Sequence, residues 1–296
     1  MSDTPVDFGR VADTYARYRG GFPDELFKRL AEKAGGRLEC LRILDVGCGT
    51  GALANEFARR GGEVFGVDPS QELLEQAERA ARDEDLQVRY LRGKAESLSL
   101  SEASFDLATA ARCWHWLDRD RAALELRRVL RPGGFLAICH FDRVSAGQGD
   151  LLASTQELIE RFNPDWAGSP PRRYGHGAGI YSDWFGDLRR GGFEAVESFS
   201  SDFEIPYTHE AWLGRVRSSG GVGGSLGGAE MARFDAALRG LLARDFPQEP
   251  VPVVHRLFCV LGRNPEVSGG ARPDQARWRL RNSACSATTR SNCGPL

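Results

Sequence analysis

A chain of 296 residues is long enough to bury a full hydrophobic core, with room for one large domain and a subdomain. Its 41% hydrophobic and 27% charged residues are ordinary for a globular protein, and a net charge of -2 gives none of the basic surplus that tight, non-specific nucleic-acid binding needs. The opening MSDTPVDFGR lacks the apolar run of a secretory signal, and no stretch approaches the roughly 18 apolar residues of a membrane span. Seven dispersed cysteines without a CxxC pair suit reduced thiols in a cytoplasmic protein, and neither they nor the five scattered histidines have the spacing of a metal site.

Residues 7–20 read as a short helix carrying aromatic and basic side chains, and Pro23 opens a second helix through Ala34 from its first turn. From Arg42 the run RILDVG has the length and branching of a buried parallel strand, and it passes through glycines into the helical pattern ALANEFARR. EVFGVD is the next strand, followed by a helix from Pro69 to Arg82 with Ser70 as its N-cap. A third strand is QVRYLRG, a fourth Phe105–Ala110, then a helix Asp118–Leu130 and a fifth strand Phe135–Phe141. Helix is expected again over 149–162, and Asn163–Gly179 is irregular. There follow a helix Ser182–Arg190, a strand Ala195–Ile205, helices over 208–218 and 229–244, and a last strand VVHRLFCVLG. SSGGVGGSLGG (218–228) lacks the Gly-Lys-Ser/Thr ending of a phosphate loop and reads as a helix connection.

Strands alternating with helices predict an α/β doubly wound sheet, mostly parallel and covered on both faces. The boundaries expected are a cofactor-binding core with N-terminal helices over 1–141, a helical cap or substrate region over 142–250 interleaved with the last sheet elements, a final strand over 251–263, and a disordered tail over 264–296.

The chemistry concentrates at Asp45-Val-Gly47-Cys-Gly49-Thr-Gly51, a strand-to-helix turn where glycine lets backbone approach a ligand closely. Gly47-x-Gly49-x-x-Ala52 also fits the nicotinamide-dinucleotide fingerprint, and Asp68 after the second strand suits a ribose in either case. Asp45 separates the two: a second negative charge there repels a pyrophosphate and favours a ligand with an ammonium and a sulfonium group. Arg131-Pro-Gly-Gly134, a turn feeding the fifth strand, points the same way.

In this order and spacing ILDVGCGTG, VFGVDPS, RGKAESL, FDLATA and RVLRPGG resemble the class I S-adenosylmethionine-dependent methyltransferases of the type 11 group, over residues 8 to about 263. The resemblance implies a Rossmann-like seven-stranded sheet with an antiparallel last strand and S-adenosylmethionine as cofactor. It further implies that Asp45, Gly47, Gly49 and Gly51 line the methionine and ribose. Asp68 would bind the ribose hydroxyls, with Pro69 or Ser70 beside the adenine, Ala95 and Glu96 at the adenine edge, and Ala110 on the cofactor side of the fourth strand. Lys94 departs from the acidic residue frequent in this family. Tyr15, Tyr18 and Arg19 resemble a cofactor-capping helix, in which Arg19 pairs with the cofactor carboxylate.

Arg112-Cys-Trp114-His115-Trp116-Leu-Asp118 is similar to the aromatic-His-Trp segment of methyltransferases like trans-aconitate methyltransferase. His115 is the candidate general base and Trp114 a candidate pocket wall near the sulfonium; Arg112 or the pair Arg172-Arg173 is placed to hold an acidic substrate. Trp166, Tyr174, His176, Tyr181 and Trp184, with Tyr207 and Trp212, are a candidate lid, so that Arg112, Trp114, His115, Trp116, Tyr174 and Tyr181 form the expected acceptor site. Packing for the aromatics and solvated surface for the arginines stay open as plain alternatives. The expected reaction is methyl transfer to a small-molecule or peptide acceptor at oxygen, with a carboxylate favoured. An NAD(P)-dependent oxidoreductase and a non-catalytic S-adenosylmethionine-binding regulator are the other classes open. No nucleic-acid or membrane partner and no metal is expected.

Overall fold

The computed structural model describes residues 21–266 apart from 40, 146, 148 and 166–177. The helix predicted over 7–20, with Tyr15, Tyr18 and Arg19, lies outside the described residues, as do Trp166, Arg172, Arg173, Tyr174 and His176. Helix α1 (Asp24–Lys33) starts one residue after Pro23, which is the extended N-cap and not part of the first turn. Asp24 and Glu25 in its first turn and Lys33 in its last complement the helix dipole, while Leu26, Phe27 and Leu30 are buried.

Strand β1 (Arg42–Val46), α2 (Ala52–Arg59), β2 (Glu63–Asp68), α3 (Gln71–Asp83) and β3 (Val88–Arg92) make the first half of the sheet. β4 (Phe105–Ala111), a 3₁₀ turn Trp114–Trp116, α4 (Arg119–Val129) and β5 (Leu130–Arg143) continue it. The chain goes on through α5 (Leu151–Phe162), α6 (Asp183–Arg190), β6 (Glu194–Tyr207), α7 (His209–Arg217), α8 (Gly228–Asp245) and β7 (Val251–Arg263). Ser70, Asp118, Asp150 and Thr208 each accept a first-turn backbone N–H with their side chain, which is why α3, α4, α5 and α7 begin where they do.

The seven strands lie in the order β3-β2-β1-β4-β5-β7-β6. β1 to β5 are parallel, and β7 runs antiparallel to both β5 and β6, as the family resemblance implied. Alternation along each strand feeds two cores, Leu44, Val46, Leu136 and Trp184 on one face and Ile43, Phe57, Leu107 and Leu257 on the other. A third cluster joins α5, α7 and α8 through Leu158, Trp212, Leu213, Phe234 and Leu238, and the Trp212 indole N–H donates to Thr155 Oγ1 at 3.0 Å across it. Because β1 is flanked by β2 on one side and β4 on the other, the strand order reverses there and the C-terminal ends open a crevice.

β5 begins five residues earlier than expected. The register jumps from Phe105↔Leu130 to Leu107↔Phe135, so Arg131-Pro-Gly-Gly134 is a bulge within the pairing. A Cβ on Gly134 would meet three backbone carbonyl oxygens at 3.0–3.2 Å. Asn264 clamps the bulge: its Nδ2 donates to the carbonyls of Leu130 at 2.8 Å and of Arg127 and Arg131 at 3.2 Å. The expectation of a disordered tail from residue 264 is corrected accordingly, because a buried amide with these partners belongs to the fold; residues 267–296 lie outside the described residues. Among the described residues no helix is long and apolar enough to cross a membrane.

Candidate active site

The turn after β1 takes three positive φ angles, at Gly47 (+62°), Gly49 (+55°) and Gly51 (+78°), a backbone path that side chains resist. The three glycines serve different ends. A Cβ on Gly47 would collide with Cys113 Cβ at 2.6 Å, and one on Gly51 with the Tyr90 hydroxyl and Ala77, so these two are needed for packing. A Cβ on Gly49 would meet nothing within 4 Å. Gly49 is therefore the position where the turn faces open space, as a cradle for a ligand requires.

Two carboxylates flank this opening. Asp45 is 1% exposed, and its Oδ1 accepts from Thr109 Oγ1 at 2.7 Å, its register partner on β4. Burial pushes its carboxyl up to about 7; the Thr109 bond opposes this and the neighbouring charge of Asp68 adds to it. Asp68, at the end of β2, accepts from Gly49 N–H on Oδ2 and Ser70 N–H on Oδ1, both at 2.9 Å. Burial raises its carboxyl too, against those two bonds. Asp68 thus ties the glycine turn to the start of α3, a role the sequence reading did not foresee. Burial also holds the Cys48 and Cys113 thiols well above their usual range, which keeps them protonated.

The other residues expected at the cofactor have the following settings. Pro69 is exposed, its carbonyl accepting from Arg92 Nε at 3.2 Å, and Ser70 Oγ caps α3. Lys94 and Ser97 pair across a short turn that buries Ala95, while Glu96 accepts from Asp118 N–H at 3.0 Å and ties this turn to α4. Ala110 is fully buried in β4.

On the acceptor side the residues separate. Trp114 is not a pocket wall: it is fully buried, with its indole N–H donating to Asp187 Oδ2 at 2.9 Å. A buried N–H requires a partner, and this one lies 73 residues on, in α6, where Asp187 also pairs with Arg119 and Arg190. Tyr181 and Trp184 are not lid surface either; their rings stack at 4.3 Å and 9° and pack on Phe258. His115 is half-buried on the 3₁₀ turn, with its ring 5.1 Å from exposed Trp116 and 6.1 Å from His140.

Arg112 has a different setting. It adopts φ +59°, rare for a side-chain-bearing residue, and its guanidinium lies 4.6 Å above the Phe22 ring. It lines a pocket of about 90 Å³ with Phe141, Asp142, Tyr207, Arg215 and His255, at the strand ends between β4, β5, β6, β7 and helix α7. Arg215, with only 4% of its side chain exposed, pairs with Asp142 at 2.6 Å. Tyr207 and His255 share a 3.1 Å hydrogen bond. Of these, sequence reading singled out Arg112 and, as lid, Tyr207; Asp142, Arg215 and His255 carried no local signal. Among the described residues no group of three His, Cys, Asp or Glu could hold a metal ion.

A glycine turn at the reversal point of a parallel sheet, opening between two buried carboxylates, defines an α/β domain whose ligand crevice lies outside the strand ends. Residues 44–138 match a family model described as a methyltransferase domain. An uncharacterized methyltransferase of Mycobacterium tuberculosis is 38% identical over 170 residues, 57% of this chain and 63% of that protein. The malonyl-[acyl-carrier protein] O-methyltransferase of Enterobacter lignolyticus is 34% identical over 134 residues, 44% of this chain and 50% of that one. Among solved structures, a candidate type II methyltransferase from Anaeromyxobacter dehalogenans matches with a TM-score of 0.59 and 25% identity over 84% of this chain and 100% of that chain. The match thus spans between half and 63% of the length of these curated relatives. Residues 44–138 are a class I S-adenosylmethionine-dependent methyltransferase domain.

Proposed function

We propose that the chain transfers a methyl group from S-adenosylmethionine to a small acceptor at oxygen, with a carboxylate as the favoured acceptor group. The observation that carries the reading is the opening at Gly49 between buried Asp45 and Asp68. A carboxyl held near neutrality by burial regains its charge when a cation arrives, which suits a ligand with ammonium and sulfonium groups and disfavours a pyrophosphate. Asp45 and the Gly47–Gly51 backbone would hold the methionine end and Asp68 the ribose. Pro69, Ser70, Ala95 and Glu96 would border the adenine. Bound there, S-adenosylmethionine supplies a methyl group on a positively charged sulfur, already activated for displacement.

What remains for the protein is orientation and exclusion of water, which contribute up to roughly 7–11 kcal/mol when two reactants are held in line. A carboxylate acceptor is ionised at neutral pH and needs no base; for a phenol, His115 is the group near the strand ends able to take the proton. The domain division falls near residue 141, with the helices after β5 covering the acceptor side. Oxygen as the methylated atom is supported by the name of the Enterobacter lignolyticus relative, an O-methyltransferase of a malonyl group.

Titration calorimetry with S-adenosylmethionine and S-adenosylhomocysteine, with NADH and an Asp68→Ala variant as controls, tests the cofactor. Binding of both sulfur ligands, weakened in the variant and absent for NADH, is the expected result. Absence of binding to folded protein removes the reading. With binding in hand, methyl-ester formation from carboxylic acids is compared with ether formation from phenols; turnover of phenols alone removes the carboxylate preference.

A further inference from the structure

We infer that Tyr90, on the edge strand β3, is a positioning residue for the cofactor: its ring passes over Gly66 to Gly51, and its hydroxyl, bonded to Asn55, holds the glycine turn in the form that receives S-adenosylmethionine. The role rests on the cofactor placement proposed above and adds to it a residue that acts on the ligand through the turn.

The first support is shape. β3 is the outermost strand at its end of the sheet, and Arg89, Leu91 and Arg92 on it are exposed, whereas Tyr90 is half-buried and packs into the core beneath α2. Its register partner on β2 is Gly66, where a Cβ would meet the Tyr90 ring at 2.6 Å. A Cβ on Gly51, the left-handed N-cap of α2, would collide with the Tyr90 hydroxyl. Two glycines on separate segments thus leave one slot, and the Tyr90 ring fills it from strand to turn.

The second support is the hydroxyl's partner. Tyr90 Oη donates to Asn55 Oδ1 at 2.7 Å, and the Asn55 N–H donates to the Gly51 carbonyl at 2.8 Å, closing the first turn of α2. Asn55 is 3% exposed. Asparagine favours caps and turns over helix interiors, and a buried amide without a partner is costly, so the bond from Tyr90 accounts for its place in α2. Burial raises the Tyr90 phenol, Cys48, Asp45 and Glu78 add to the rise, and Arg59 opposes it, so the hydroxyl stays protonated and donates. The turn is therefore tied twice. Asp68 at the end of β2 accepts from the Gly49 N–H at 2.9 Å, and Tyr90 on β3 holds Gly51 through Asn55. A turn fixed on both sides of its open face spares the ligand the cost of ordering it.

Calorimetric titration of the full-length protein with S-adenosylhomocysteine, well below its unfolding temperature, compares wild type with Tyr90→Phe, Asn55→Ala, the double variant and Thr155→Val. Thr155→Val is the control for general destabilisation, since it breaks the Trp212–Thr155 bond in the third cluster. Tyr90→Phe and Asn55→Ala are each expected to bind on the order of fivefold more weakly, as loss of one hydrogen bond allows, and the double variant no more weakly than either. Thr155→Val is expected to bind as wild type does. Unchanged affinity in Tyr90→Phe, losses that multiply in the double variant, or an equal loss in Thr155→Val overturns the role. If Tyr90→Phe does not fold, Asn55→Ala decides by the same comparison with Thr155→Val; if neither folds, the bond serves the fold as a whole and the role is overturned. Failure of S-adenosylhomocysteine to bind folded wild type is a separate result, which removes the cofactor placement itself.

Discussion

Replacing Asp45 by asparagine isolates one buried carboxyl, because Asn keeps the shape and an oxygen for the Thr109 bond. In the folded protein this group titrates near 7, whereas in the unfolded chain it titrates near the ordinary value of about 3.9. Between those limits the native state holds a proton that the unfolded chain has released. Stability therefore falls as pH rises from about 4 to 7 and levels off above, the reverse of an ion-paired carboxylate. From pH 5 to 8 the loss attributable to Asp45 covers about two pH units, or about 3 kcal/mol at 1.36 kcal/mol per unit. Urea unfolding of wild type and Asp45→Asn at pH 5, 6, 7 and 8 reads this directly. The variant's stability relative to wild type is expected to rise by about that amount across the series. A second readout concerns function: a cationic ligand drives Asp45 to ionise, so S-adenosylmethionine binding at pH 6 releases close to one proton. Calorimetry in buffers of different ionisation enthalpy detects that release, which Asp45→Asn lacks. A stability difference flat with pH, together with no proton release at pH 6, refutes the reasoning.

The glycine turn predicts a split between two alanine variants. Gly47→Ala adds a positive-φ penalty to a 2.6 Å collision with Cys113 and is expected to cost about 2–4 kcal/mol of stability by urea unfolding. Gly49→Ala carries the φ penalty alone, about 1 kcal/mol, but weakens S-adenosylhomocysteine binding on the order of tenfold because its methyl enters the open cradle. Equal losses of stability in the two variants contradict this division. Asn264→Ala removes the donor to three carbonyls at the Arg131–Gly134 bulge and is expected to cost about 1–3 kcal/mol, seen as a lowered midpoint in thermal denaturation. An unchanged midpoint excludes the clamp.

Most of the sheet was legible because its signals are local. RILDV and EVFGVD are apolar runs of strand length ending in glycine or an N-cap serine, and they form the strands read from them. β5 was read too short because proline and glycines look like a turn wherever they occur; that they stay within the pairing depends on Asn264, more than a hundred residues away. The same physics divides the site. Asp45, the glycines and Asp68 lie within one β-α-β unit, so their spacing alone exposes them. Trp114 misleads because an aromatic residue after a strand looks the same whether it faces a ligand or, as here, Asp187. Arg215, Asp142 and His255 come from α7, β5 and β7, and they meet because β7 inserts antiparallel between β5 and β6. That insertion brings the start of β7 beside the ends of β5 and β6, so a residue early in one strand faces residues late in two others. The glycine turn and its two carboxylates are encoded by spacing along the chain, whereas the pocket at the ends of β5, β6 and β7 is encoded by topology. Pocket residues of this kind are therefore found by following strand ends in space, as Arg112, at positive φ just past β4, illustrates.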